Sequence, residues 1–153
     1  MIVYGFSLET HELIDKWSMG GSSKITCMDC INSKSGKFII VSGAEDGKIY
    51  MRIDWEEQPV VANFEKPINE ICFSNDGRKM IVAIDDASKN NIFIFTWVND
   101  KQFSAKTEKL LFDNEIPLSI EFLDSDLSFI VATNILNIYK VTFTDLSKPL
   151  NLL

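Results

Sequence analysis

Few residues in this chain could do chemistry. Cys27-Met28-Asp29-Cys30 has the two-residue gap of half a zinc site. No second pair follows it, and His11 is the lone histidine. On a strand, residues three apart project from opposite faces, so Cys27 and Cys30 are expected to pack in a core rather than share a metal. Cys72, beside Phe73, reads the same way. Nucleophilic catalysis with a histidine base would have to use His11, which lies in the polar stretch Glu9-Thr10-His11-Glu12 and reads as an exposed turn. The acidic runs Asp85-Asp86 and Asp124-Ser125-Asp126 offer oxygen ligands for a hard cation. Aspartate also forms turns through its own side chain, and that is their expected role. Neither standard Gly-rich phosphate loop occurs. Catalysis, a metal and a cofactor are therefore not expected.

Binding is the remaining option, and charge narrows it. The net charge is -7 and the sequence pI about 4.7. Such a surface repels phosphate, which argues against nucleic acid and an anionic membrane, and it suits a basic protein surface. Trp17, Trp55 and Trp97 fall at the ends of apolar runs, where packing is expected. Trp55 is the one expected to be exposed, because Asp54, Glu56 and Glu57 surround it. Trp55, Glu56, Glu57, Asp85 and Asp86 are thus the candidate protein-binding residues. Apolar residues at 46% and charged residues at 24% support a packed core rather than disorder. No apolar stretch approaches the roughly 20 residues of a membrane helix. The start, Met1 to Phe6, lacks the basic flank and long apolar run of a signal peptide. With three cysteines and no export signal, the expected location is cytoplasmic.

The elements that must position these residues read as strands. Short runs rich in Ile, Val and Phe alternate with Gly, Asn, Asp and Ser. Glu9 to Lys16 and Lys101 to Phe112 could pass as helix, but neither carries a convincing cap or apolar stripe, so both are expected as strand and loop. The pattern repeats. Ile25-Thr26-Cys27-Met28-Asp29-Cys30 aligns with Ile68-Asn69-Glu70-Ile71-Cys72-Phe73 and with Pro117-Leu118-Ser119-Ile120-Glu121-Phe122. Each leads to a polar turn, then to Phe38–Ser42, Met80–Ile84 or Phe129–Thr133, then to a third strand. A fourth strand is visible twice, near Val60–Phe64 and Leu110–Phe112. Four short antiparallel strands in a unit of roughly 40 to 45 residues is the signature of a β-propeller blade.

The turns carry a family resemblance. Phe73-Ser74-Asn75-Asp76-Gly77-Arg78 resembles the first turn of WD repeats, and Ser42-Gly43-Ala44-Glu45-Asp46-Gly47-Lys48-Ile49 resembles their second. Met1 to Thr10 resembles a third strand with its turn, and Leu13 to Trp17 a fourth. The Trp-Asp pair is absent, with Tyr4-Gly5, Arg52-Ile53, Phe95-Thr96 and Tyr139-Lys140 in its place. The Gly-His pair is absent too, so the Asp-His-Ser/Thr-Trp network of well-formed repeats cannot be built. The Asp-rich turn at Asp85-Asp86 and the strand end Phe95-Thr96-Trp97 are also similar to repeats of echinoderm microtubule-associated-protein-like and cilia- and flagella-associated WD-repeat proteins.

The resemblance implies an all-β, incomplete WD-repeat-like propeller of about three to three and a half four-stranded antiparallel blades. Residues 1–20 would end one blade, 21–65 and 66–114 would be full blades, and 115–153 a partial blade of three strands. It implies a non-catalytic scaffold within an assembly, possible in the cytoskeleton or cilium. The partners would be other protein subunits, tubulin or axonemal proteins among the candidates, with blades of the same or another chain completing the ring. A propeller-type enzyme would instead need a metal cluster or acid–base pair on the axis. A membrane or nucleic-acid adaptor would need a basic patch, and the Arg-Arg pair of phosphoinositide-binding propellers is missing.

Overall fold

Hydrogen-bonded strands carry the whole fold in a computed structural model, which describes residues 2–18, 22–33, 35–87, 91–99, 102–103, 108–110, 114–123 and 127–152. Among them no residue is helical. Sheet 1 is the hairpin β1 (Ile2–Phe6) and β2 (Leu13–Ser18). Sheet 2 runs β3 (Ile25–Asn32), β4 (Phe38–Ala44) and β5 (Lys48–Ile53), whose outer edge pairs with the short β6 (Glu56–Glu57) and β7 (Ala62–Asn63). Sheet 3 repeats this plan with β8 (Ile68–Phe73), β9 (Lys79–Ile84) and β10 (Ile92–Asn99), edged by β11 (Gln102–Phe103) and β12 (Glu108–Leu110). Sheet 4 holds β13 (Pro117–Phe122), β14 (Ser128–Thr133), β15 (Ile138–Thr142) and β16 (Asp145–Asn151). Every pairing is antiparallel between neighbours in sequence order or at the split outer edge.

The chain is therefore all-β, built of several small antiparallel sheets. The strand β16 corrects the expected three-strand end: residues 115–153 supply four strands. The stretches that could have passed as helix form β2 and, where described, β11 and β12; Leu111 and Phe112 lie outside the described residues. Among the described residues the sheets do not close into one continuous sheet.

Side-chain alternation explains why the sheets stack. In β9, Met80, Val82 and Ile84 point to one side and join Val41, Ile49 and Met51 of sheet 2 in a buried cluster. Ile81 and Ala83 point to the other side and join Ile120, Phe129 and Val131 of sheet 4. An unbroken apolar run is what a strand buried on both faces requires. Burial of apolar area, at roughly 25 cal/mol per Å2, is what favours this stacking.

The inner strands match one another in detail. The ladder shifts by one residue between Ile25 and Cys27, between Ile68 and Glu70, and between Pro117 and Ser119. Each shift is a bulge at the same step of the strand. It makes Cys27, Glu70 and Ser119 equivalent, and likewise Asp29, Cys72 and Glu121.

Candidate functional site

The three inner strands lie side by side and are fastened by side chains. Asp29 Oδ2 accepts the Phe73 amide at 2.7 Å, and its Oδ1 accepts the Cys30 amide at 2.7 Å. Asn69 Nδ2 donates to the Pro117 carbonyl at 2.9 Å, and Asn91 Nδ2 donates to the Glu115 carbonyl at 2.8 Å. The strand β8 is a sheet edge, so the Phe73 amide has no ladder partner there, and an unmade bond in this buried place would cost about 1–3 kcal/mol.

Between these strands lies a polar hollow of about 400 Å3 whose lining includes Asp29, Glu70, Cys72, Ser119 and Glu121. Burial, and then the charges of Asp29 and Glu121, push the Glu70 carboxyl above its ordinary value against the opposing Ile71 amide. Burial pushes the Cys27 and Cys72 thiols up to about 11, so neither is a ready nucleophile at neutral pH. Among the described residues no group of three or more His, Cys, Asp or Glu side chains is placed to hold a metal.

A second hollow, also of about 400 Å3, lies between sheet 1 and sheet 2 and is apolar. Tyr4, Phe6 and Ile14 form one wall; Met28, Phe38 and Trp55 contribute to the other. Trp55 is 38% exposed and packs its ring on Phe38, with centroids 5.3 Å apart. It follows Asp54 in a tight turn from β5 to β6 in which both residues have positive φ, 47° and 73°. For an aromatic residue that conformation costs on the order of 1–3 kcal/mol. It is held by Asp54, which donates its amide to the Phe38 carbonyl at 2.8 Å and accepts the Phe38 amide at 2.9 Å. The Trp55 carbonyl also accepts from Arg52 Nη1.

The candidate residues separate. Glu56 and Glu57 are exposed beside Trp55, and Glu57 meets Arg52 at 3.5 Å. Asp85 is exposed, whereas Asp86 is buried at 7% exposure and does not offer the exposed surface expected of a protein-binding residue. Asp124, Ser125 and Asp126 lie outside the described residues. His11 is an exposed turn residue. The two cysteines do face opposite ways: Cys27 packs against the first core, but Cys30 is exposed and lines the apolar hollow, which corrects the core placement expected for it. Trp97 packs against the same core as expected; the Trp17 side chain is not among those described.

One polar cluster was not foreseen. Glu115, 8% exposed, accepts Thr133 Oγ1 at 2.6 Å, Tyr139 Oη at 2.6 Å and Asn137 Nδ2 at 3.0 Å. Burial opposes its ionisation, but these three bonds outweigh it and hold the carboxyl below its ordinary value. The cluster pins the segment just before β13 to the β14–β15 hairpin.

No protein-family model matches the chain, and no curated protein matches it.

Proposed function

We propose that the chain is an array of WD-repeat-like propeller blades that serves as a non-catalytic protein-interaction scaffold. The observation that carries this reading is the repeated inner strand: the same bulge in β3, β8 and β13, with side chains of one strand fastened to the backbone of the next. Blades that stack this way bury both faces of each middle sheet and leave loops and end faces for partners. The hollow between sheet 1 and sheet 2 is where a partner is needed. Ile2, Tyr4, Phe6 and Ile14 of sheet 1 are each more than half exposed, at 53%, 53%, 59% and 59%. Apolar surface of that kind on a soluble protein marks an interaction site.

The test is the solution state of the native protein. Gentle isolation followed by light scattering should return an assembly heavier than the 17.4 kDa chain. Charged substitutions at Tyr4 and Phe6 should release the chain from it. A soluble monomer that unfolds cooperatively and needs no partner would overturn the scaffold reading.

A further inference from the structure

Sheets 2 and 3 bury a face that sheet 4 leaves partly open. Phe129, Val131 and Val141 point into the apolar cluster shared with sheet 3, and so do Ile120 and Phe122. Alternation therefore turns Glu121, Ile130 and Lys140 to the opposite face. Ladder register sets these three in one row across β13, β14 and β15. The same row is Asp29, Val41 and Met51 in sheet 2, and Cys72, Ile81 and Ile94 in sheet 3. There the row meets the next sheet, and Val41, Met51, Ile81 and Ile94 are at most 4% exposed. In sheet 4, Ile130 and Lys140 are only half-buried and Glu121 is exposed.

The row also changes character. Lys140 stands where the buried Met51 and Ile94 stand in the other sheets. Glu121 lies on the other side of Ile130, its backbone about 10 Å from that of Lys140 across two strand spacings. Neither charge has an ion pair among the described residues. A further sheet like those of the array would cover Lys140 with apolar side chains, and an ammonium buried without a counter-charge is strongly disfavoured. The face calls instead for an acid opposite Lys140, a base opposite Glu121 and an apolar centre between them. A second copy of the same face supplies all three.

We propose that the outer face of sheet 4 pairs with the same face of a second copy of this chain. A two-fold axis parallel to β14 sets Ile130 on Ile130 of the partner subunit. It sets each Glu121 opposite Lys140 of the partner subunit. Reciprocal matching of this kind is what an isologous contact requires. The net charge of -7 makes two copies repel at a distance, but salt screens that repulsion more than it weakens pairs brought into contact. The contact uses no residue of the hollow between sheets 1 and 2.

The test is sedimentation equilibrium of the 153-residue chain over a concentration series in salt of about 0.15 M. The 17.4 kDa chain should dimerise reversibly. Glu121→Lys alone and Lys140→Glu alone each set like charges face to face, and each should weaken the dimer about tenfold or more. Mixed in equal amounts, the two variants should dimerise with each other, because each supplies the charge that the other lacks. The double variant Glu121→Lys/Lys140→Glu should dimerise by itself. A chain that stays monomeric throughout, a dimer indifferent to both single changes, or single variants whose mixture stays monomeric overturns the proposal. So does a dimer that a charged substitution at Tyr4 abolishes and Lys140→Glu does not, which would seat the second copy in the hollow. Failure of the charge exchange with the native assembly intact counts against this contact alone and leaves the scaffold reading standing.

Discussion

Gly43→Ala should separate the second and third sheets. Gly43 lies in β4, opposite Cys27 and Ile49, where Ile68 of sheet 3 packs against it. A Cβ added there would sit 2.5 Å from Ile68 Cγ2 and 2.8 Å from both Ile68 Cβ and Cys27 Sγ. Carbon atoms in contact prefer about 3.5–4.0 Å, so β8 must retreat by about 1 Å or Ile68 must leave its rotamer. A β-branched side chain has little freedom to do so. Overpacking of this kind costs about 1–3 kcal/mol. For a chain of this size each kcal/mol lowers the melting temperature by roughly 2–4 °C. Urea denaturation of purified protein measures the loss. Gly36→Ala is the comparison: it has a positive φ of 80° and nothing within 4 Å of the added carbon, so it should lose only the conformational term, about 1 kcal/mol. Ile68→Ala removes the nearest of these atoms, Cγ2, and leaves Ile68 Cβ and Cys27 Sγ, so the double variant should be more stable than the two single losses predict while still recovering only part of the clash. Wild-type stability in Gly43→Ala, or strict additivity in the double variant, would refute the close approach of the sheets.

Three further outcomes are expected. Leu136, 84% exposed with a φ of 68°, occupies the turn position held by Gly47 in sheet 2, so Leu136→Gly should raise the denaturation midpoint by up to about 1 kcal/mol in stability with an unchanged slope. Glu115 has a depressed carboxyl in the folded state, so its contribution is present above the ordinary carboxylate range and is lost as the pH falls through the depressed value. Glu115→Gln should therefore cost about 1–3 kcal/mol at neutral pH and flatten the acid limb of the stability curve. In native protein at about pH 8, a thiol reagent should modify exposed Cys30 first. Cys27 and Cys72, raised to about 11, should react more slowly by about tenfold or more until the protein unfolds.

What the sequence made legible was set by local pattern. The openers at Ile25, Ile68 and Pro117 align as written in the sequence because each lies on an inner strand with the same bulge. The strand Asp145–Asn151 escaped notice because it is polar and contains Pro149. An outer strand tolerates both, since one side of its backbone meets solvent. The Glu115 cluster was hidden because its members, at 115, 133, 137 and 139, obey no strand period and meet only when three elements fold together. Alternation along β3 showed that Cys27 and Cys30 would face opposite ways, but not that the Cys30 side would be left uncovered. That depends on how many strands the neighbouring sheet contributes. Asp86 turned inward for a similar reason: two adjacent acids in one turn share a sequence context, not an environment.

The meander order of every sheet also governs how the molecule comes apart. Each strand pairs with its neighbour along the chain or with the one after a short outer-edge segment, so most backbone ladders close small loops. Ladders of that kind are local contacts with a small closure cost, and the docking of one sheet on the next is the longer-range step. Amide protons should record this as a gradient. Those of β9, clamped between two apolar clusters, should exchange only on global unfolding, while those of β1 and β2 should exchange through local opening. A partner seated on the first sheet would then be felt as slowed exchange at the end of the array, without any change at its centre.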